Sequence, residues 1–329
     1  MNQEIVTKIV KASGAAPGEL ILIHFWGEDS DRWIADLFME AAAEAGASPA
    51  FLQQSRTKNR ELFLRAQDTC FDQKYFDMLS HFDAVLDVFT YQPVVLGSEI
   101  KAEKFEIYRK YMSQLFQALM KCRRFTQIRV PTEANAGESG LEARDYISRM
   151  TKAYDVDYPS VLAECKAKCQ ELSQSDSLTL HTGENCSLNF DLSGREWHID
   201  AGDGDLPCGE VYIAPIENQT QGSIYFERLY IEDCGAFNKV QLSVENGQII
   251  SSNHEQVNCF LNELSPQSKV ICEFGVGMNP NVTDLCGYTV LDEKMAGTFH
   301  IAIGNNTMFG GTNEAPVHLD FVGTGQILQ

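Results

Sequence analysis

The segment from Cys272 to Asp320 carries Glu273, Asp292, Glu293, His300, His318 and Asp320, most of them beside apolar residues or glycine. It reads C-E-F-G-V-G-M-N-P, then V-L-D-E-K-M-A-G-T-F-H-I-A-I-G, then F-G-G-T-N-E-A-P-V-H-L-D. Carboxylates and imidazoles together suit zinc or another divalent transition metal. His318 and Asp320 are two apart, so an extended strand points both to one face and Leu319 to the other, into a core. Glu273 follows V-I-C on a predicted strand, where a carboxylate needs a cation or several donors. Asp292 and Glu293 are adjacent, so an extended segment turns only one of them to a given site. Taken singly, each residue fits an ordinary half-buried strand or turn. As a set they predict a metal centre.

Outside this segment, Glu210 opens the strand in L-P-C-G-E-V-Y-I-A-P, after a turn set by Pro207 and Gly209. Glu314 is a candidate for substrate contact. The run from Gly304 to Asn313 predicts a flexible loop between the two histidines. His24, inside an apolar strand, predicts a hydrogen-bonded core histidine. The sequence has no G-x-S-x-G elbow, no H-E-x-x-H and no glycine-rich phosphate loop, which leaves no nucleotide site to read from it. Cys208 and Cys272 lie near proposed ligands, but a cysteine nucleophile needs its own histidine base.

The elements that must position these groups fall into two textures. E-L-I-L-I-H-F-W, A-F-L-Q-Q, D-A-V-L-D-V-F-T-Y and F-T-Q-I-R-V-P read as strands. They alternate with helices expected at 32–45, 57–79 and 99–122. That order predicts an α/β domain with a parallel sheet. Charged helices follow over 138–175, with Pro159 at the start of the second. Beyond them come short alternating strands with glycine-rich turns, among them a hairpin at E-N-G-Q, and one helix near 253–264. The expected division is an α/β domain over 1–175 and a β-rich catalytic metal domain over 176–329.

The chain has 329 residues, 44% of them hydrophobic, with a formal charge of −20. Such an acidic surface disfavours nucleic acid and anionic membranes as partners. No signal-peptide core and no apolar run of membrane-spanning length is visible, which predicts a cytoplasmic protein. Its ten cysteines are scattered, which predicts reduced thiols.

G-E-V-Y-I-A-P, E-F-G-V-G-M-N-P, L-D-E-K-M-A-G-T-F-H-I-A-I-G and F-G-G-T-N-E-A-P-V-H-L-D resemble, in order, the motifs of the aminopeptidase T and aminopeptidase S metallo-aminopeptidases. The similarity is greatest to the shorter leucyl aminopeptidases. It implies two divalent ions (zinc, cobalt or manganese) held by Glu210, Glu273, Glu293, His300, His318 and Asp320, with Glu273 and Asp320 bridging. The implied activity is removal of N-terminal residues from small peptides by a metal-activated bridging water, in a homo-oligomer, expected as a dimer. Two departures stand out. The segment between Glu293 and His300 is longer than in the best-known members, and residues 301–311 lack the tyrosine that follows the strand histidine there. A related branch cleaves dihydroxypyridine rings with one ferrous ion. That branch has histidine where this chain has Glu273, yet His300, His318 and Asp320 could still form two histidines plus a carboxylate, a set suited to non-haem iron. The alternatives are thus a mononuclear ring-cleaving dioxygenase and a non-catalytic scaffold that binds metal or a partner.

Overall fold

Leu20–Trp26 is apolar apart from His24 and is buried from Ile21 onward, as a strand covered on both faces must be. In the computed structural model it lies inside a parallel sheet. The strand order is Ser48–Gln54, Leu20–Trp26, Ala84–Phe89, Arg124–Arg129 and Asp205–Leu206. The structure describes residues 1–93, 102–183, 185–232 and 234–328. Helix Gln3–Ala12 precedes the first strand, and Arg32–Glu44 and Ala102–Leu119 alternate with the strands as expected. Residues 99–101, the expected start of the last of these helices, lie outside the described residues.

One helix expected over 57–79 is two, Arg56–Arg65 and Gln73–Leu79. The break is aromatic. Phe71 adopts a positive φ of 59°, and its ring packs 5.4 Å from Phe63 and 4.6 Å from Tyr111. A continuous helix would not present Phe71 to both rings.

The chain divides into two compact units, Met1–Tyr158 with Gly202–Cys208, and Pro159–Ala201 with Gly209–Gln329. Most of the helix Tyr158–Leu172, expected in the first domain, therefore lies in the second unit, and residues 202–208 return to the first.

The second unit contains two antiparallel sheets. The six-stranded one runs in the order Gln248–Ser252, Gly235–Glu245, Gln221–Ile231, Cys186–Asp191, Ser177–Thr182 and Gln326–Leu328. Its E-N-G-Q hairpin places Asn246 and Gly247 at φ 49° and 76°, the backbone that an Asn-Gly turn supplies. The five-stranded sheet runs His318–Gly323, Phe299–Gly304, Ile271–Gly277, Glu210–Ile213 and His198–Asp200. One face of it is apolar and buried, formed by Phe274, Val276, Val211, Ile213, Phe299, Ile301, Ile303 and Phe321. The opposite face carries the ionisable groups. Among the described residues, no helix is long and apolar enough to cross a membrane.

Candidate metal centre

Register decides which side chains share the polar face. Glu273 pairs with Ala302, which pairs with Asp320. Gly275 pairs with His300 on one side and Tyr212 on the other, and Gly277 pairs with Glu210. At the sheet edge, Asp200 pairs with Glu210 and His198 with Tyr212. Directly paired residues point to the same side, so all of these side chains share one face. Glu273 reaches that face through a β-bulge. Ile271 pairs with Ile303, yet Glu273 pairs with Ala302 rather than Ile301, which leaves one extra residue on its strand. Without the bulge, Glu273 would join Ile301 and Ile303 in the core.

Two glycines make the room. The His300 ring lies across Gly275, where an added Cβ would stand 2.0 Å from Nε2. At Gly277 a Cβ would stand 2.1 Å from the Met295 carbonyl oxygen and 2.7 Å from that of Glu293. The 293–295 backbone can therefore press against the sheet.

Donor atoms of Glu273, His300 and Asp320 lie within 4.8 Å of one another. His300 Nε2 is 3.2 Å from Glu273 Oε1 and 3.6 Å from Glu210 Oε2. His318 Nε2 is 3.3 Å from Glu273 Oε2 and 3.7 Å from Asp320 Oδ1, as expected for an i, i+2 pair on one strand. His318 Nδ1 lies 2.8 Å from the Asn305 carbonyl oxygen. A carbonyl only accepts, so Nδ1 carries a proton in that bond and Nε2 is the nitrogen turned to Glu273 and Asp320. The Cys272 Sγ, 3.7 Å from the same Nδ1, therefore gains no base from it.

The expected ligands do not form one undivided cluster. Glu293 and Glu210 meet Lys294, which the sequence reading passed over. Its Nζ is 2.5 Å from Glu210 Oε1, 2.9 Å from Glu293 Oε1 and 3.8 Å from Asp200 Oδ2. Asp292 and Glu293 lie on a helical turn beginning at Thr289 rather than on an extended segment. Asp292 turns away and accepts backbone N–H bonds from Cys286 at 2.8 Å and Gly287 at 2.7 Å. Glu314 is exposed. The loop expected to be flexible is pinned. The buried Asn306 donates to Glu217 and to the Cys272 carbonyl oxygen, and accepts from the Asn313 N–H. Glu217 also accepts from the Thr312 N–H and pairs with Arg195. Phe309, on this loop, stands edge-on to His318 at 5.9 Å and to Tyr212 at 5.6 Å, and His198 stacks on Tyr212 at 5.2 Å. An aromatic wall therefore flanks the ionisable face.

The electrostatics follow from burial opposed by pairing. Burial pushes Glu210 up to about 7 against the pull of Lys294. Burial also works against the Glu273 charge, but hydrogen bonds from His300 and His318 outweigh it and hold the carboxyl down at about 2. Burial disfavours the His300 cation, yet its bond to Glu273 and the Glu210 charge raise it to about 9. Asp320 is raised, by burial first and the Glu293 charge second. Lys294 is raised well above its ordinary range because its carboxylates outweigh burial. The region holds more buried carboxylates than protein cations to match them. Imidazoles and carboxylates with such a deficit fit a divalent ion. Glu273, His300 and Asp320 would hold it, with His318 beside them.

Comparison with curated protein sequences gives no match. Two solved structures share the fold over 99% of this chain. They are 2,5-dihydroxypyridine dioxygenase from Pseudomonas putida KT2440 (TM-score 0.68, 16% identity, 92% of that chain) and wild-type AmpT from Thermus thermophilus (TM-score 0.68, 18% identity, 97% of that chain). The thermophilic metalloprotease (M29) sequence profile matches residues 9–326, and the chain belongs to that family of metal-dependent peptidases.

Proposed function

We propose that the protein is a metallo-aminopeptidase that removes the N-terminal residue of small peptides, with the second unit, Pro159–Ala201 and Gly209–Gln329, as its catalytic part. The observation that carries this reading is the convergence of Glu273, His300 and Asp320 on one sheet face, in a chain of the metalloprotease family. A divalent ion held there supplies a Lewis acid for the scissile carbonyl and a water of lowered pKa. Glu273 and Asp320 provide anionic donors, and the Asn305 carbonyl fixes the His318 ring so that Nε2 faces them. The buried Glu210 and Asp200, with the half-buried Glu293, give the face the negative potential that an α-ammonium seeks. A cytoplasmic location and a homodimer complete the reading.

The test is hydrolysis of aminoacyl anilides and dipeptides by protein loaded with zinc, cobalt or manganese, beside N-acetylated controls. Release is expected only from unblocked substrates and is lost with chelator. Equal cleavage of the acetylated controls would rule out an aminopeptidase. One observation favours a second reading. His300, His318 and Asp320 supply two imidazoles and a carboxylate on one face, a set suited to ferrous iron. Dioxygen uptake with 2,5-dihydroxypyridine by the ferrous protein, without peptide hydrolysis, would select the dioxygenase.

A further inference from the structure

Lys294 stands among the carboxylates that a second ion would need. Its side chain is 3% exposed, and its ammonium meets Glu210 at 2.5 Å, Glu293 at 2.9 Å and Asp200 at 3.8 Å. Glu210 divides its two oxygens. Oε1 takes Lys294, while Oε2 lies 3.6 Å from His300 and opens toward the Glu273, His300 and Asp320 trio. The trio is thus ready for one ion, while the Glu210–Glu293 side already holds a cation.

The lysine is also held by its backbone. The Asn279 N–H donates to the Lys294 carbonyl oxygen at 2.7 Å, and the Ala296 N–H donates to the Asn279 carbonyl oxygen at 3.1 Å. On the other side Gly277 lies so close that even a methyl group would meet the Met295 and Glu293 carbonyl oxygens. With both sides of the 293–295 backbone engaged, Lys294 leaves its carboxylates only by a change of side-chain rotamer. A divalent ion binds carboxylate oxygen at about 2.0–2.2 Å. It could not reach Oε1 of both glutamates while an ammonium sits between them, because two like charges a few ångströms apart repel strongly in a buried site.

We propose that Lys294 is a built-in cation occupying the place of a second divalent ion, so that the centre takes one ion tightly and a second only by displacing the lysine. This rests on the metal-centre reading above and revises its expected stoichiometry. A single ion would draw on Glu273, His300 and Asp320, with Glu210 Oε2 and His318 Nε2 in reach. Lys294 would keep Glu293 and Asp200 compensated and hold Glu210 in its shared position. Lys294 is a positioning residue in this scheme, since it acts through Glu210.

The experiment is titration of the full-length, chelator-stripped protein with Co²⁺, followed by absorbance, with elemental analysis of the saturated protein. The wild type is expected to bind one equivalent tightly and a second at least about 100-fold more weakly. Lys294→Met is expected to narrow that gap to about tenfold or less, and Lys294→Arg, which keeps the charge, to preserve it. Two equivalents of like affinity in the wild type overturn the proposal and leave a metal-dependent peptidase standing. No tight equivalent overturns both. An unchanged gap in folded Lys294→Met removes the lysine from the explanation. If that variant does not fold, the wild-type titration still decides.

Discussion

Two buried histidines, one in each unit, each meet a carboxylate from a neighbouring strand. His24 Nδ1 lies 2.8 Å from Asp87 Oδ1, and the same oxygen accepts from Trp26 Nε1 at 2.9 Å. His300 Nε2 lies 3.2 Å from Glu273, with Glu210 next at 3.6 Å. Each pair is enclosed, and each ring leaves its other nitrogen without a partner among the described residues. They differ in the balance of charge around them. In the parallel sheet one carboxylate is shared by two N–H donors. In the antiparallel sheet Glu210, Glu273, Glu293, Asp200 and Asp320 converge on a few protein cations. On the proposed reading, the histidine crowded by carboxylates is the metal ligand and the one whose carboxylate is shared by two donors is structural.

The comparison is broken most directly at Glu273. Glu273→Gln keeps the shape and removes the charge shared by His300 and His318. Metal affinity and peptidase activity should both fall on the order of 10³-fold, read by metal titration and by turnover of aminoacyl anilides. Unchanged affinity would mean that Glu273 is as structural as Asp87.

A smaller loss is expected at Gly275, which touches no metal in this reading. Gly275→Ala places a methyl 2.0 Å from His300 Nε2, so the ring must move. Metal affinity should drop on the order of 100-fold, with about 1–3 kcal/mol of stability lost to overpacking. Metal titration and urea unfolding read the two effects separately. A loss of stability with affinity intact would show that the ring's position over Gly275 does not matter for binding.

Several of these groups were legible in the sequence because type and spacing carried them. His318 and Asp320 face one way because a strand has period two, and Glu273 demanded a counter-charge among apolar neighbours. The parallel sheet followed from the alternation of apolar runs with helices. Other features depended on register, which no local pattern fixes. The bulge that turns Glu273 to the polar face lies between Ile271 and Glu273 and is set by their pairing with Ile303 and Ala302, about thirty residues later in the chain. Asp200 joins the face only through pairing with Glu210. Lys294 was visible in D-E-K, but its direction depends on a helical turn where extended chain was expected. The Gly304–Asn313 loop looked free because its restraints, Glu217 and Arg195, lie about ninety and more residues earlier in the chain. The break before Gln73 needed Phe63 and Tyr111 to be seen around Phe71.

The same charge balance sets a pH dependence. In the proposed centre, metal uptake would displace the proton that keeps His300 cationic up to about 9, and below about 7 also the one on Glu210. Both values are raised, so in both cases protons compete with the metal and affinity should rise with pH. The expected slope approaches tenfold per pH unit for each proton displaced. Titrations between pH 6 and 10 would show it. A flat profile would mean that the proton is not held at the ligand nitrogen.

The smallest effect on the metal is expected from the other histidine. His24→Leu removes one of the two donors to Asp87 and leaves that carboxylate enclosed with Trp26 alone. Breaking a buried pair from one side costs about 3 kcal/mol, which should lower the urea midpoint. Metal stoichiometry and affinity should not change, because the ligands, the bulge and both glycines of the second unit keep their own contacts. If His24→Leu instead weakens the tight Co²⁺ equivalent while the protein stays folded, the two histidines are not separable into structural and ligand roles. The charge balance around each would then be the wrong criterion.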